Sequence, residues 1–294
     1  MKLGVQYQRD GAGLADFARR AEAAGLDSVW CGDHVGHLYD GIAALGCYAG
    51  ATRSITIGLN VLVAPYRPAA VMAKALATIA HIAPGRVVAG FGVGGEFPNE
   101  FVATGADRRA RGAYTDEALE VILELWQGEA VTHEGRFVRL DRFRLTPRPD
   151  PRPVVWIGGR SEAALRRAVR FGDAYAPYLV SPDQVARRRS RIEELAAEAG
   201  RSLEGFQVGC LVTVVPAPTV EAAIERGIDA LALSGLSPET MRNHYLLGDD
   251  RSLVERVAEY RAAGVDHLIL GCLPGSDRDL DEFFAKVELI RTSL

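Results

Sequence analysis

The positions richest in chemistry lie in one short stretch. Residues 28–41, SVWCGDHVGHLYDG, begin as a buried strand and end in Asp33-His34, with His37 three residues further on. An imidazole with an unperturbed pKa of ~6.5 gives or takes a proton near neutrality, and a neighbouring carboxylate can orient it. The bland alternative is a helix-capping Asp33 beside a packing His34. Two glycine-rich segments stand out as well. In Gly158-Gly159-Arg160-Ser161 the glycines let the backbone approach an anion, Ser161 is placed to cap the next helix, and Arg160 adds charge. An ordinary tight turn capped by Ser161 explains the same four residues. Gly92-Val93-Gly94-Gly95-Glu96 is glycine-rich but matches neither G-x-G-x-x-G nor a Walker loop.

These residues need elements to hold them together. Short apolar runs read as strands at 3–8, 27–31, 55–63, 86–94, 154–159, 173–179, 206–215 and 265–273. Helical patterns separate most of them: Leu14, Phe17, Ala18 and Ala21 after the first, Pro68 to about Ile82 after the third, and SEAALRRAVRFG after the fifth. Leu119, Ile122, Leu123 and Trp126 form the stripe of a helix over 111–127, suited equally to a core or a dimer interface. Residues 130–153 read as a hairpin excursion with a Pro-rich return. The strands are continuous apolar runs, as a buried parallel sheet requires. Eight such units in 294 residues predict an α/β fold, the (β/α)8 TIM barrel, as one domain over 1–294. A ninth apolar run, 228–235, has no place in that count and is assigned to a helix end or to an insertion between strands seven and eight.

Bulk composition narrows the function. The net charge of −4 supplies no basic field for nucleic acid. No run of ~18 apolar residues predicts a membrane span, and the N-terminus lacks the apolar core of a signal peptide. Cys31, Cys47, Cys210 and Cys272 show no CxxC pairing, so reduced thiols in a cytoplasmic protein are expected, Cys31 and Cys272 as small buried hydrophobes. His81 reads as a surface or capping residue, and His133, His244 and His267 lack ligand-like spacing. No metal is expected: the first strand, GVQYQ, carries none of the H-x-H ligands of a barrel hydrolase.

In a (β/α)8 barrel the site lies at the C-terminal strand ends. The segments found there are DSVWCGDH, ITIGLNVLVAPYRPAAVMAKALATI, PGRVVAGFGVGGEFPNEFVATG, ELWQGE and PVVWIGGRSEAALRRAVRFGDAY. In this order they resemble the bacterial luciferase-like monooxygenase superfamily, and most nearly its branch of oxidoreductases using the deazaflavin coenzyme F420. The resemblance implies a barrel with an insertion near its C-terminal face and a flavin-like ring across the strand ends. It implies His34 as acid/base, Asp33 beside the ring, and a cis non-proline peptide at Asn60-Val61 against the ring's back. It places Glu96 in a catalytic role and Gly92, Gly94 and Asn99 at cofactor-contacting positions, in a loop one glycine longer than the deazaflavin sugar-phosphate dehydrogenases carry. Gly158, Gly159, Arg160 and Ser161 match the loop holding the cofactor phosphate. Tyr7, Tyr66 and Phe97 would face a small-molecule substrate. The function expected is hydride transfer with F420 in a homodimer. The alternative is an FMN-dependent monooxygenase activating O2. A flavin-binding protein without turnover is the non-enzymatic alternative.

Overall fold

The computed structural model describes residues 1–8, 13–230, 236–273 and 277–294. Eight parallel strands close into a barrel: β1 (Lys2–Tyr7), β2 (Ser28–Cys31), β3 (Thr56–Leu59), β4 (Val87–Gly92), β5 (Val154–Ile157), β6 (Ala174–Tyr175), β7 (Gln207–Pro216) and β8 (His267–Gly271). Each pairs with the next, and β8 closes on β1 through Lys2↔His267 to Gln6↔Gly271. The expected (β/α)8 TIM barrel is the observed fold. The third strand departs from its expected span. It stops at Leu59, passes through a cis peptide at Asn60-Val61, and resumes as Leu62–Val63 paired to Phe91 and Gly92 of β4.

Side chains alternate across each strand, so one set faces the axis and the other faces the helices. The inward set fills the bore with Trp30, Val88, Trp156, Ala174, Leu211 and Ile269. Trp30 and Trp156 stack at 4.6 Å between centroids. A Cβ on Gly58 would lie 2.3 Å from the Trp30 ring, and one on Gly209 would lie 2.4 Å from Trp156. Those glycines make room for two indoles in a bore that aliphatic side chains usually fill. Ser28 accepts a hydrogen bond from Trp30 Nε1 at 2.6 Å and bonds His267 Nε2 at 2.6 Å. Ser28, the Trp30 N–H and His267 Nε2 thus partner one another within this layer.

The outward set packs against helices. Met72, Ala73, Leu76, Ala77 and Ala80 give the helix Ala69–Ile82 a buried face at helical spacing, and Trp126 Nε1 donates to Ala73 O at 3.0 Å. Two helices escape sequence patterning. Gly41–Ala51 carries no charged side chain and two internal glycines, so no polar-apolar period marks it, but Asp40 caps it by accepting from Ala43 N. Pro98–Thr104 is too short to show a period.

The hairpin excursion is present as Val131–Glu134 against Arg139–Phe143, antiparallel. Between β7 and β8 the barrel helix Asp250–Ala262 is preceded by an insertion of helices Val220–Ala230 and Pro238–His244 and the strand Leu246–Gly248. That strand pairs with Val214–Pro216, which fixes the insertion at the C-terminal face. Of the run 228–235, residues 228–230 end a helix, and the remainder lies outside the described residues, as does Pro274. Among the described residues no helix is long and apolar enough to cross a membrane.

Candidate functional site

At the C-terminal rim the inward positions shrink. Gly92 of β4, Gly158 and Ala176 beyond β5 and β6, and Gly271 of β8 carry little or no side chain above the indole layer. Val61, which follows the cis peptide, takes the space at Gly92 and Gly158, and Gln8 takes that at Gly271. A Cβ on Gly92 would stand 2.4 Å from Val61 Cγ2, and one on Gly158 would stand 2.7 Å from Val61 Cγ1. Gly92 and Gly158 are thus glycines because Val61 occupies the space their side chains would take. Beside this seat, Asn60 Nδ2 donates to Gln6 Oε1 at 3.4 Å.

Asp33 and His34 follow the end of β2 at Cys31 and take different partners. Asp33 is buried at 1% exposure, and its carboxylate is fully engaged. Oδ1 accepts from Gly41 N at 2.9 Å and Oδ2 from Val63 N at 3.0 Å, while Arg67 forks onto both oxygens at 2.7 and 2.8 Å. Arg67 also reaches Asp40. Asp33 therefore ties the β2 loop, the start of helix Gly41–Ala51 and the end of the third strand together.

The His34 Nδ1 has no hydrogen-bond partner and lies 3.5 Å from Glu100 Oε1, the same distance as His37 Nδ1. The two imidazoles lie 3.8 Å apart between centroids, tilted by 31°, and Phe97 meets them at 5.2 and 4.3 Å. Burial, then the neighbouring His37, pull the His34 pKa below its ordinary value against the opposing pull of Glu100 and Asp33. Glu100 is buried, which by itself would raise its pKa. Backbone N–H groups of Gly36 and Val35 at 3.0 and 2.9 Å, with His34 and the Tyr66 hydroxyl at 3.1 Å, hold it below the usual carboxylate range instead. The three ligating atoms lie within 4.8 Å of one another.

Glu96 is exposed and sits at the rim, 3.8 Å from Arg160, whose guanidinium lies 5.3 Å over the Tyr178 ring. Desolvation raises the Glu96 carboxyl against the pull of Arg160. From the insertion, Tyr245 bonds Thr213 and feels Glu96; burial, aided by Glu96, pushes its hydroxyl up to about 12 against the opposing pull of the Thr213 bond. Gly159 has φ +115°, its carbonyl accepts from Tyr175 at 2.7 Å, and a Cβ there would meet Ala164 at 3.0 Å. Ser161 caps helix Glu162–Phe171 by accepting from Ala164 N. Gly94, φ +65°, packs under Val63 and Phe101, and Asn99 is exposed on the first turn of helix Pro98–Thr104. Sequence reading misses Glu100 and gives His37 no set role. Pro98 at a helix start was the available signal, since it places Glu100 in the first turn, facing back toward the β2 loop.

This rim and its barrel define the class. The luciferase-like monooxygenase family profile matches residues 3–236, and the chain belongs to that family. It is 30% identical over 302 residues to an F420-dependent glucose-6-phosphate dehydrogenase of Nakamurella multipartita, covering 90% of this chain and 87% of that protein. It is 26% identical over 308 residues to an FMNH2-dependent dimethylsulfone monooxygenase of Pseudomonas fluorescens, covering 92% and 83%. In fold it matches an F420-dependent secondary alcohol dehydrogenase, solved with an F420-acetone adduct, at TM-score 0.87, 22% identity and 99% of each chain.

Proposed function

We propose that this protein is an F420-dependent oxidoreductase that moves a hydride between the deazaflavin ring and a small organic substrate, with His34 managing the accompanying proton. The observation that carries this reading is the rim around Val61. Val61 is locked on Gly92 and Gly158 as an apolar seat for a flat ring, and His34 stands at the same rim. Likeness to the Nakamurella enzyme over most of both chains favours F420 over FMN. The cofactor supplies the hydride donor or acceptor. The chain's residues do the rest: Val61 and Asn60 support the ring, and Gly92 and Gly158 keep Val61 in place. Gly159, Arg160 and Ser161 face the anionic arm, and Gly94, Glu96 and Asn99 border it. His34 takes a proton from, or returns one to, the substrate heteroatom. Asp33 serves this site by fixing the loop that carries His34, not by touching the ring.

Fluorescence titration of the purified protein with F420 and with FMN tests the reading. Tight binding of F420 and weak binding of FMN is expected. The reverse would turn the assignment to O2-consuming monooxygenation, the reading the Pseudomonas relative favours. A second copy of this chain is proposed to cover the uncharged face of helix Gly41–Ala51, where Ala43 and Gly50 are exposed. Light scattering at micromolar concentration reads that dimer directly. Four free thiols are in keeping with a cytoplasmic location.

A further inference from the structure

Two imidazoles and one carboxylate oxygen meet behind the β2 loop. Glu100 cannot swing away from them. Its Oε1 is pinned by the backbone N–H groups of Val35 and Gly36, and its Oε2 by the Tyr66 hydroxyl. At 3.5 Å no hydrogen bond is formed, but a fixed carboxylate favours hydrogen on the imidazole nitrogen that faces it. That favours Nδ1–H on His34, with Nε2 of the neutral ring as an acceptor. Nε2 lies on the opposite side, toward β1: the Cβ position of Gly32 is 3.9 Å from His34 Nε2 and 3.9 Å from Gln6 Nε2. The His37 ring at 3.8 Å and the Phe97 edge at 5.2 Å fix the plane in which Nε2 points.

We propose that Glu100 and His37 are positioning residues for His34: the shared carboxylate oxygen selects its Nδ1–H tautomer and the neighbouring ring sets its plane, so that Nε2 is presented to the substrate. This rests on His34 as the acid/base group. The charged and titratable groups facing His34 are Glu100 from helix Pro98–Thr104 and His37 and Asp33 from its own loop. Asp33 is engaged by Arg67, and Glu100 by Tyr66. Glu100 and His37 bias the imidazolium in opposite senses. An anion facing it stabilises the charged ring, and a second imidazole destabilises it.

The test needs no substrate. Protein labelled with 15N-histidine is titrated between pH 4 and 9, and long-range 15N–1H spectra read tautomer and pKa, the His34 signal being assigned with His34→Asn. The wild-type spectrum should show neutral His34 protonated on Nδ1. Glu100→Gln should lower the His34 pKa and His37→Phe should raise it, each by about one pH unit. Gln keeps an acceptor oxygen for Val35 and Gly36, and Phe keeps the ring contact. A neutral His34 protonated on Nε2 overturns the proposal even if neither variant folds, and shifts of the same sign overturn it as well. Hydride transfer by His34→Asn with F420 separates the two readings. Retained turnover with the expected spectra removes the acid/base role and leaves the positioning geometry standing.

Discussion

The barrel holds two wired imidazoles one above the other. They differ in every respect that separates stability from chemistry. His267, in the bore, is 3% exposed, bonded to Ser28 and walled by Trp30 and Trp156 at 5.7 and 5.4 Å. Burial pushes its pKa to about 4, so it is neutral throughout the physiological range. His34, at the rim, is half-buried, lacks a hydrogen bond at Nδ1, and faces a carboxylate and a second imidazole. The same side chain packs where it is bonded into the indole layer, and takes the acid/base role proposed above where a carboxylate and a second imidazole face it. Polar groups are tolerated in the bore only when paired, whereas the rim leaves capacity unused.

The strongest way to break this contrast is His34→Ala. Hydride transfer should fall by ~10²–10⁴ with F420 affinity and urea midpoint nearly unchanged. Wild-type turnover would leave the open imidazole without a task. Trp156→Ala should do the reverse, with a stability loss of ~3–5 kcal/mol from the cavity it leaves. A loss under ~1 kcal/mol in urea melts would mean the bore is loosely filled. Acid should also separate the two histidines. The unfolded chain protonates His267 near 6.5, whereas the folded chain waits until about 4. The unfolded state therefore binds more protons in that window, and this group's contribution declines as pH falls from 6.5 toward 4, by up to about 3 kcal/mol. His267→Gln should remove that part of the slope in denaturation series at stepped pH, and an unaltered slope would place it elsewhere.

Two glycines give the finest comparison. Gly58→Ala drives a methyl against the Trp30 ring and should cost ~1–3 kcal/mol of stability through overpacking, without touching cofactor affinity. Gly158→Ala drives one against Val61 instead, and F420 affinity should drop about tenfold, roughly 1.4 kcal/mol. If both variants lose only stability, the Val61 seat is not where the ring rests.

Much of this was legible in the residues. The strand runs gave the barrel, and the end of β2 marked where an imidazole would stand. The cis Asn60-Val61 peptide follows from the family resemblance and is present. What escaped is tertiary in origin. Glu100 and His37 meet across a sequence gap that no spacing rule spans, and Glu96, the nearer acid, lies exposed at the rim. Asp33 and His34 are adjacent in sequence, but their partners, Arg67 for one and Glu100 for the other, come from distant segments. That Gly158 also makes room for Val61 is visible only once the fold brings them together. Helix Gly41–Ala51 lacks the polar face by which a surface helix is recognised.

The paired indoles across the bore have a kinetic meaning too. Trp30 and Trp156, at 0% and 3% exposure, stopper the barrel from wall to wall. Anything bound at the C-terminal rim would come and go from that face. A ring resting against Val61 beneath a substrate would then have to arrive first and leave last.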